Sequence, residues 1–148
     1  MKLINTLKDT KESTLKFFDL PDTDLDKSYE EGKWTIRQLL NHLADAETVL
    51  YDRIRRVIAK PKQVVWSFDQ KAWAKNLNYN KFPLSINKQI YSSVRDSIIY
   101  LTNEFYETKG DNEFIHSETG LRLLKDEFEK VALHNQHHLN QIKKALNK

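Results

Sequence analysis

Three of the five histidines of this 148-residue chain fall in the stretch HNQHHLNQI, His134 to Ile142. Residues four apart on a helix stack on one face, one turn apart. His134 and His138 therefore present two imidazoles side by side, the spacing with which a helix grips a zinc-like ion. His137 lies three residues after His134 and points near the same face. The same pattern also fits polar filler on a solvated helix face, so the spacing alone leaves both readings open. His42 is the candidate third ligand. It stands beside an apolar seam set by Leu39, Leu43 and Leu50, where an imidazole needs a partner; a hydrogen-bonded boundary histidine is the alternative. The metalloprotease motif HExxH is absent, because Asn135 occupies the position of the general-base glutamate.

Other residues offer supporting chemistry. Asp45 follows His42 by three and could orient an imidazole from behind, or serve as a surface charge. Arg53, Arg55 and Arg56 could hold an anionic substrate; they equally suit a helix C-terminus. His116 is expected to anchor a connector by hydrogen bonds, and Trp34, Trp66 and Trp73 to serve as core or lid. The chain has no cysteine, so disulfides, thiolate ligands and a cysteine nucleophile are excluded, and any metal site must use His, Asp or Glu.

The elements that carry these residues read as helices. The chain has only three prolines and three glycines, and all six lie between periodic segments, as helix breakers should. A first helix runs from Leu3 to Phe18, with Leu3, Leu7, Thr14, Leu15 and Phe18 on one side. A second starts at a capping box formed by Thr35 and Gln38 and ends before Pro61, with Ile36, Leu39, Leu40, Leu43, Leu50, Ile54, Val57 and Ile58 as its stripe. The connector after it, residues 61 to 83, is too long for a simple loop. Asp69 can cap a short helix there, and Trp66, Phe68, Trp73 and Tyr79 are expected to lid one end of the core. Ser85 can cap a third helix with Ile86, Ile90, Val94, Ile98, Leu101 and Phe105 buried. A turn-rich segment follows, extended at Glu113 to Ile115. The last helix carries Leu121, Leu124, Phe128, Val131, Leu139, Ile142 and Leu146. Its acids come early (Asp126, Glu127, Glu129) and its lysines late (Lys143, Lys144, Lys148), which complements the helix dipole.

Four amphipathic helices in residues 1–148 predict one all-α domain, a four-helix bundle with a long crossover connector between helices two and three. No apolar run approaches the roughly 20 residues of a membrane-spanning helix, and the N-terminus lacks the apolar core of a signal peptide, so the expectation is a cytoplasmic protein with no membrane partner. The net charge of +3 is spread over interleaved signs, which argues against a nucleic-acid partner.

The blocks GKWTIRQLLNHLADAE, FDQKAWA, HSETGLRLL and HNQHHLNQI, in that order, resemble the DinB-like superfamily, in particular its YfiT-type metal-dependent hydrolases. The resemblance covers about residues 30 to 75 and 114 to 142. It implies a four-helix bundle holding a divalent metal, zinc or nickel, on three histidines, here His42, His134 and His138. Gln141 stands where YfiT-type relatives tend to have another histidine; with Asp45 and His137 it is a candidate supporting residue behind the triad. An ion on three neutral imidazoles keeps its full charge and an open position. It can lower the pKa of a bound water to about 7, or bind a thiolate. The resemblance therefore implies either a hydrolase or a thiol S-transferase using a small-molecule thiol and an electrophilic substrate, with a stress-response role and a homodimer as further expectations. The alternative is a non-enzymatic helical binding or scaffold module on the same fold.

Overall fold

The computed structural model describes residues 1–147; Lys148, one of the late lysines, lies outside the described residues. Helix α1 spans Lys2–Phe17, followed by a one-turn helix α2, Asp22–Leu25. Helix α3 spans Ile36–Ala59 and begins as the sequence predicts. The Thr35 side chain accepts from the Gln38 backbone N–H, and the Gln38 side chain accepts from the Thr35 N–H. The connector holds a two-residue strand β1, Val64–Val65, and helix α4, Gln70–Asn76, capped by Asp69 as expected. Helix α5 spans Leu84–Lys109, a hairpin of β2 (Glu113–His116) and β3 (Gly120–Leu123) follows, and α6 spans Leu124–Leu146.

Two apolar clusters fill the bundle. One gathers Leu7, Leu50, Ile54, Ile98, Phe128 and Val131; the other gathers Phe18, Leu40, Leu43, Tyr91, Ile142 and Ala145. Following them along the chain gives the helix directions. Helices α1 and α6 run from the first cluster to the second, whereas α3 and α5 run from the second to the first. Because α3 and α5 are parallel, the chain between them must return the length of the bundle, which is the crossover predicted from the long connector. Helix α3 packs on α5 and α6, and α1 packs on the same two.

Between the clusters lies a buried polar layer to which all four long helices contribute. Arg95 of α5 is fully buried and forks onto Glu47 of α3, with its Nε 3.0 Å from Oε2. Its Nη1 donates to the Leu7 carbonyl and the Thr10 hydroxyl of α1, and its Nη2 donates to the Asn135 side-chain oxygen of α6. Asn135 in turn donates to Thr14 and accepts from the Tyr91 hydroxyl. Buried charges survive only when paired and hydrogen-bonded, and here each donor-bearing nitrogen of Arg95 has a partner.

Three expectations need correction. The buried stripe of α5 is Asn87, Tyr91, Arg95, Ile98 and Thr102, whereas Ile86 and Ile90 are exposed. A hydrophobic count placed the isoleucines inward, but the polar network claims the inward face, so the helix is rotated by one residue. Ser85 caps nothing: α5 starts at Leu84, with Pro83 in the capping position two residues before Ser85. Leu121 is in β3 and exposed rather than in the last helix. That helix starts at Leu124, where the Asp126 carboxylate accepts the Leu123 backbone N–H.

The small sheet, in order β1-β2-β3, pairs β1 parallel and β3 antiparallel to β2. Its extended centre was predicted at Glu113 to Ile115. Phe114 and His116 turn inward, while Val64, Ile115 and Leu121 lie in register on the exposed face. No helix among the described residues is long and apolar enough to cross a membrane.

Candidate metal centre

His42 is supplied by α3 and His134 and His138 by α6, at a point where the two helices pack against each other. The ring Nε2 atoms converge: His42 to His134 is 3.0 Å, and His138 to His134 is 3.2 Å. Each of the three offers one nitrogen to a common point, all within 4.8 Å of one another, so the group could hold a metal ion. Two nitrogens bound tetrahedrally to one ion at about 2.05 Å stand about 3.3 Å apart, close to the spacings seen.

The protons support the same reading. A neutral imidazole carries one N–H. His138 presents its Nδ1 to the Gln141 side-chain oxygen at 2.7 Å, which fixes the proton there and leaves a bare lone pair at Nε2. The His134 Nε2 faces that lone pair and the His42 Nε2 together, and one proton cannot serve both. A cation between the three nitrogens resolves the conflict. The rings are also held neutral. Burial, with the neighbouring His134 and His138, pushes the His42 pKa down to about 2. Burial, with His138 and Lys130, pushes His134 down to about 3. Burial lowers His138 as well, against the opposing hydrogen bond from Gln141. Neutral imidazole is the ligating form.

Aromatic rings wall the triad. Phe68, from the crossover connector, stacks parallel to His42 with ring centroids 5.9 Å apart, and Trp34 packs against the same imidazole at a tilt, with centroids 5.1 Å apart. Trp73 meets Phe68 edge-on at 4.6 Å. Trp66, expected in the lid or core, is largely exposed instead. Beside the triad opens a cleft of about 270 Å³ whose lining includes His134, Phe68, Arg53, His116, Glu127 and Lys130. A second cleft, bordered by Trp34, Lys33, His138 and Gln141, meets the triad at His138.

A model of the DinB superfamily matches residues 6–142 of the chain. The chain belongs to the DinB superfamily. Among the relatives, a protein of Oceanobacillus iheyensis named "Putative metal-dependent hydrolase" is 33% identical over 127 residues, 86% of this chain and 73% of that one. A second protein of that organism with the same description is 32% identical over 124 residues, 84% and 72% of the two chains. The solved structure of YfiT from Bacillus subtilis, described as "a probable metal-dependent hydrolase with an unusual four-helix bundle topology", superposes with a TM-score of 0.90 at 22% identity, covering 99% of this chain and 85% of that one. At that identity the superposition shows the shared four-helix-bundle fold alone.

The remaining candidates divide. Asp45 does not touch an imidazole. It accepts the Tyr79 hydroxyl, which anchors the connector to α3, and burial raises its pKa. The Nδ1 of His42 has no hydrogen-bond partner among the described residues. Gln141 takes the supporting place: its oxygen faces His138, and its amide nitrogen lies 3.3 Å from the ring of the exposed His137. His116 anchors the hairpin as expected, its Nδ1 accepting the backbone N–H groups of Glu118 and Thr119. Of the three arginines, only Arg53 is buried and lines the cleft; Arg55 lies over the Tyr51 ring, and Arg56 pairs with Asp52. Two residues beside the triad carry a different reading in the sequence. Phe68 was assigned only to the lid, and Glu127 only to the helix dipole. Glu127 precedes His134 by seven residues, two helical turns on the same face, and that spacing is the signal that could have found it.

Proposed function

We propose that His42, His134 and His138 hold one divalent ion, zinc or nickel, and that the chain is an enzyme acting on a small-molecule substrate in the cytoplasm. The observation that carries this reading is the convergence of three neutral imidazole nitrogens that no arrangement of protons satisfies. Imidazole sets of this kind suit zinc and nickel. Such an ion, when bound, makes the O–H of water or the S–H of a thiol more acidic and so supplies a nucleophile at neutral pH. The reaction is accordingly a hydrolysis or the transfer of a low-molecular-weight thiol to an electrophile.

The chain's own residues do the rest. Gln141 holds the His138 proton on Nδ1 and aims Nε2 at the other two rings. His42, fully buried, closes the inner side of the site, and Phe68 and Trp34 keep water from its ring. His134, the most exposed of the three, borders the cleft through which a substrate reaches the centre. A non-enzymatic scaffold would gain nothing from three buried imidazole nitrogens brought together with no proton arrangement that satisfies them, since unmet buried polar groups cost stability.

Elemental analysis of untagged protein tests the centre: about one zinc or nickel per chain is expected, and none in His138→Ala. A thiol-transfer and ester panel then tests the reaction. Metal-loaded protein should turn over at least one substrate and His138→Ala none; equal turnover by the two would refute the reading.

A further inference from the structure

The two clefts beside the triad differ in charge. The one at His134 mixes Arg53, Arg122 and Lys130 with Glu118 and Glu127. The one at His138, about 390 Å³, has Lys33 and Lys71 in its lining and no carboxylate. Its volume is that of a small-molecule pocket. Lys33 comes from the loop before α3 and Lys71 from α4 of the connector, so the fold brings them to one cleft from separate elements. Both are exposed, and neither makes an ion pair among the described residues. The acids near them in the chain do not answer them. Asp69 accepts the Ala72 backbone N–H as the cap of α4. Glu30 and Glu31 are exposed in the turn before Lys33 and are not part of the lining. A third ammonium, that of Lys144 on α6, lies 5.8 Å from the ring centroid of Tyr29, which borders the same cleft.

The rest of the lining is neutral. The Gln141 oxygen faces His138 Nδ1, which turns the Gln141 amide nitrogen toward His137 Nε2. His137 Nε2 accepts there, so the exposed ring donates through Nδ1. Tyr29, Trp34 and Leu39 supply the apolar part. A cleft lined by charge of one sign concentrates its counter-ion. Ammonium groups hold carboxylate and phosphate oxygens through charge-assisted hydrogen bonds. A cation would meet only like charge here, and a neutral molecule would leave both ammonium groups unanswered.

We propose that the His138 cleft is an oxyanion-binding subsite, in which Lys33 and Lys71 hold the carboxylate or phosphate of a small organic molecule whose apolar body lies against Trp34 and Tyr29. As the anchor of the substrate's anionic end, the subsite rests on the proposed metal centre. As a binding site it does not, since neither lysine is needed to hold the ion.

Amide chemical shifts of isotope-labelled protein, titrated with benzoate, read affinity and location together. Benzoate should bind about five-fold or more tighter than benzamide, which has the same shape without the charge, and tighter than acetate, which lacks the ring. The shifts should centre on Lys33, Trp34, Lys71 and His137. Phenylphosphonate should give the same pattern, and the tighter of the two ligands identifies the oxyanion as phosphate-like or carboxylate-like. The double variant Lys33→Met, Lys71→Met alters exposed side chains only, so it should keep the fold and lose the preference for benzoate over benzamide. The double variant Lys8→Met, Lys60→Met removes the same charge elsewhere and should keep that preference. Equal loss in the two variants overturns the proposal, as does equal affinity of wild-type protein for benzoate and benzamide. Metal-free and zinc-loaded wild type should show the same preference. A preference confined to zinc-loaded protein puts the anion on the ion and overturns the subsite, whereas a wild-type protein that takes up no zinc but keeps the preference overturns the metal centre alone.

Discussion

The Nε2 atoms of His42 and His134 stand 3.0 Å apart although 92 residues separate them in the chain. That approach puts a nitrogen-lined point between α3 and α6, and it makes His42 a group whose cost and use can be measured separately. His42 is fully buried and its Nδ1 has no partner among the described residues. In His42→Leu, of similar bulk, the metal-free protein should be as stable as wild type or gain about 1–3 kcal/mol, since an unsatisfied buried polar atom is removed. The rise in Tm expected of wild type on adding zinc should vanish. Thermal melts with and without zinc decide this, and a metal-free variant far less stable than wild type would contradict it.

In the proposed centre, Gln141 acts on the ion only through His138. Gln141→Leu should leave the fold intact and weaken zinc binding about 10- to 100-fold, the usual effect of removing a partner behind a metal-ligating histidine. Gln141→Glu, which still offers an oxygen to the Nδ1 proton, should keep or strengthen binding. Competition titration with a chromogenic chelator reads both. Identical affinities for Leu and wild type would remove Gln141 from the site.

The Arg95–Glu47 pair predicts an asymmetry between single and double replacement. Arg95→Met leaves Glu47 buried without its partner and should cost about 3–5 kcal/mol. Adding Glu47→Leu removes the stranded charge and should restore much of that loss. Urea denaturation of the three variants measures the coupling; additive losses would show that the two groups do not act as a pair.

Acid should destabilise the metal-free protein through the triad. In the unfolded chain each histidine protonates near its ordinary value of 6.5, whereas in the fold His42 and His134 stay neutral down to about 2 and about 3. Below pH 6.5 the unfolded chain therefore binds more protons than the fold. Stability from these groups is complete above that pH and is lost progressively toward pH 3. His42→Leu should flatten this part of the profile, as read from Tm against pH in metal-free buffer.

The parts of this molecule that follow from local chemistry were legible in its sequence. The Thr35–Gln38 capping box, the Asp69 cap and the extended strand at Glu113 depend on residues within a few positions of each other. The HxxxH face of α6 depends on one helical turn. What sequence reading missed depends on partners distant in the chain. Arg95 reads as a surface charge until Glu47, 48 residues away, closes on it, and this pairing turned α5 so that Ile86 and Ile90 face outward. Asp45 seemed placed to serve His42, but Tyr79, from the far end of the connector, takes it first. Phe68 reads as one aromatic among several, because nothing in its neighbourhood records that it stacks on His42.

The parallel course of α3 and α5 has a consequence for how such a protein can diversify. The return path between them is obligatory, and it delivers Phe68 to the rim of the nitrogen cluster. Changes in that stretch can reshape what enters the cleft while the helices that carry His42, His134 and His138 stay as they are. The bundle and the gate are thus separately mutable parts of one chain: insertions or ring swaps between Pro61 and Pro83 offer a route to new substrate preferences that leaves the three imidazoles in place.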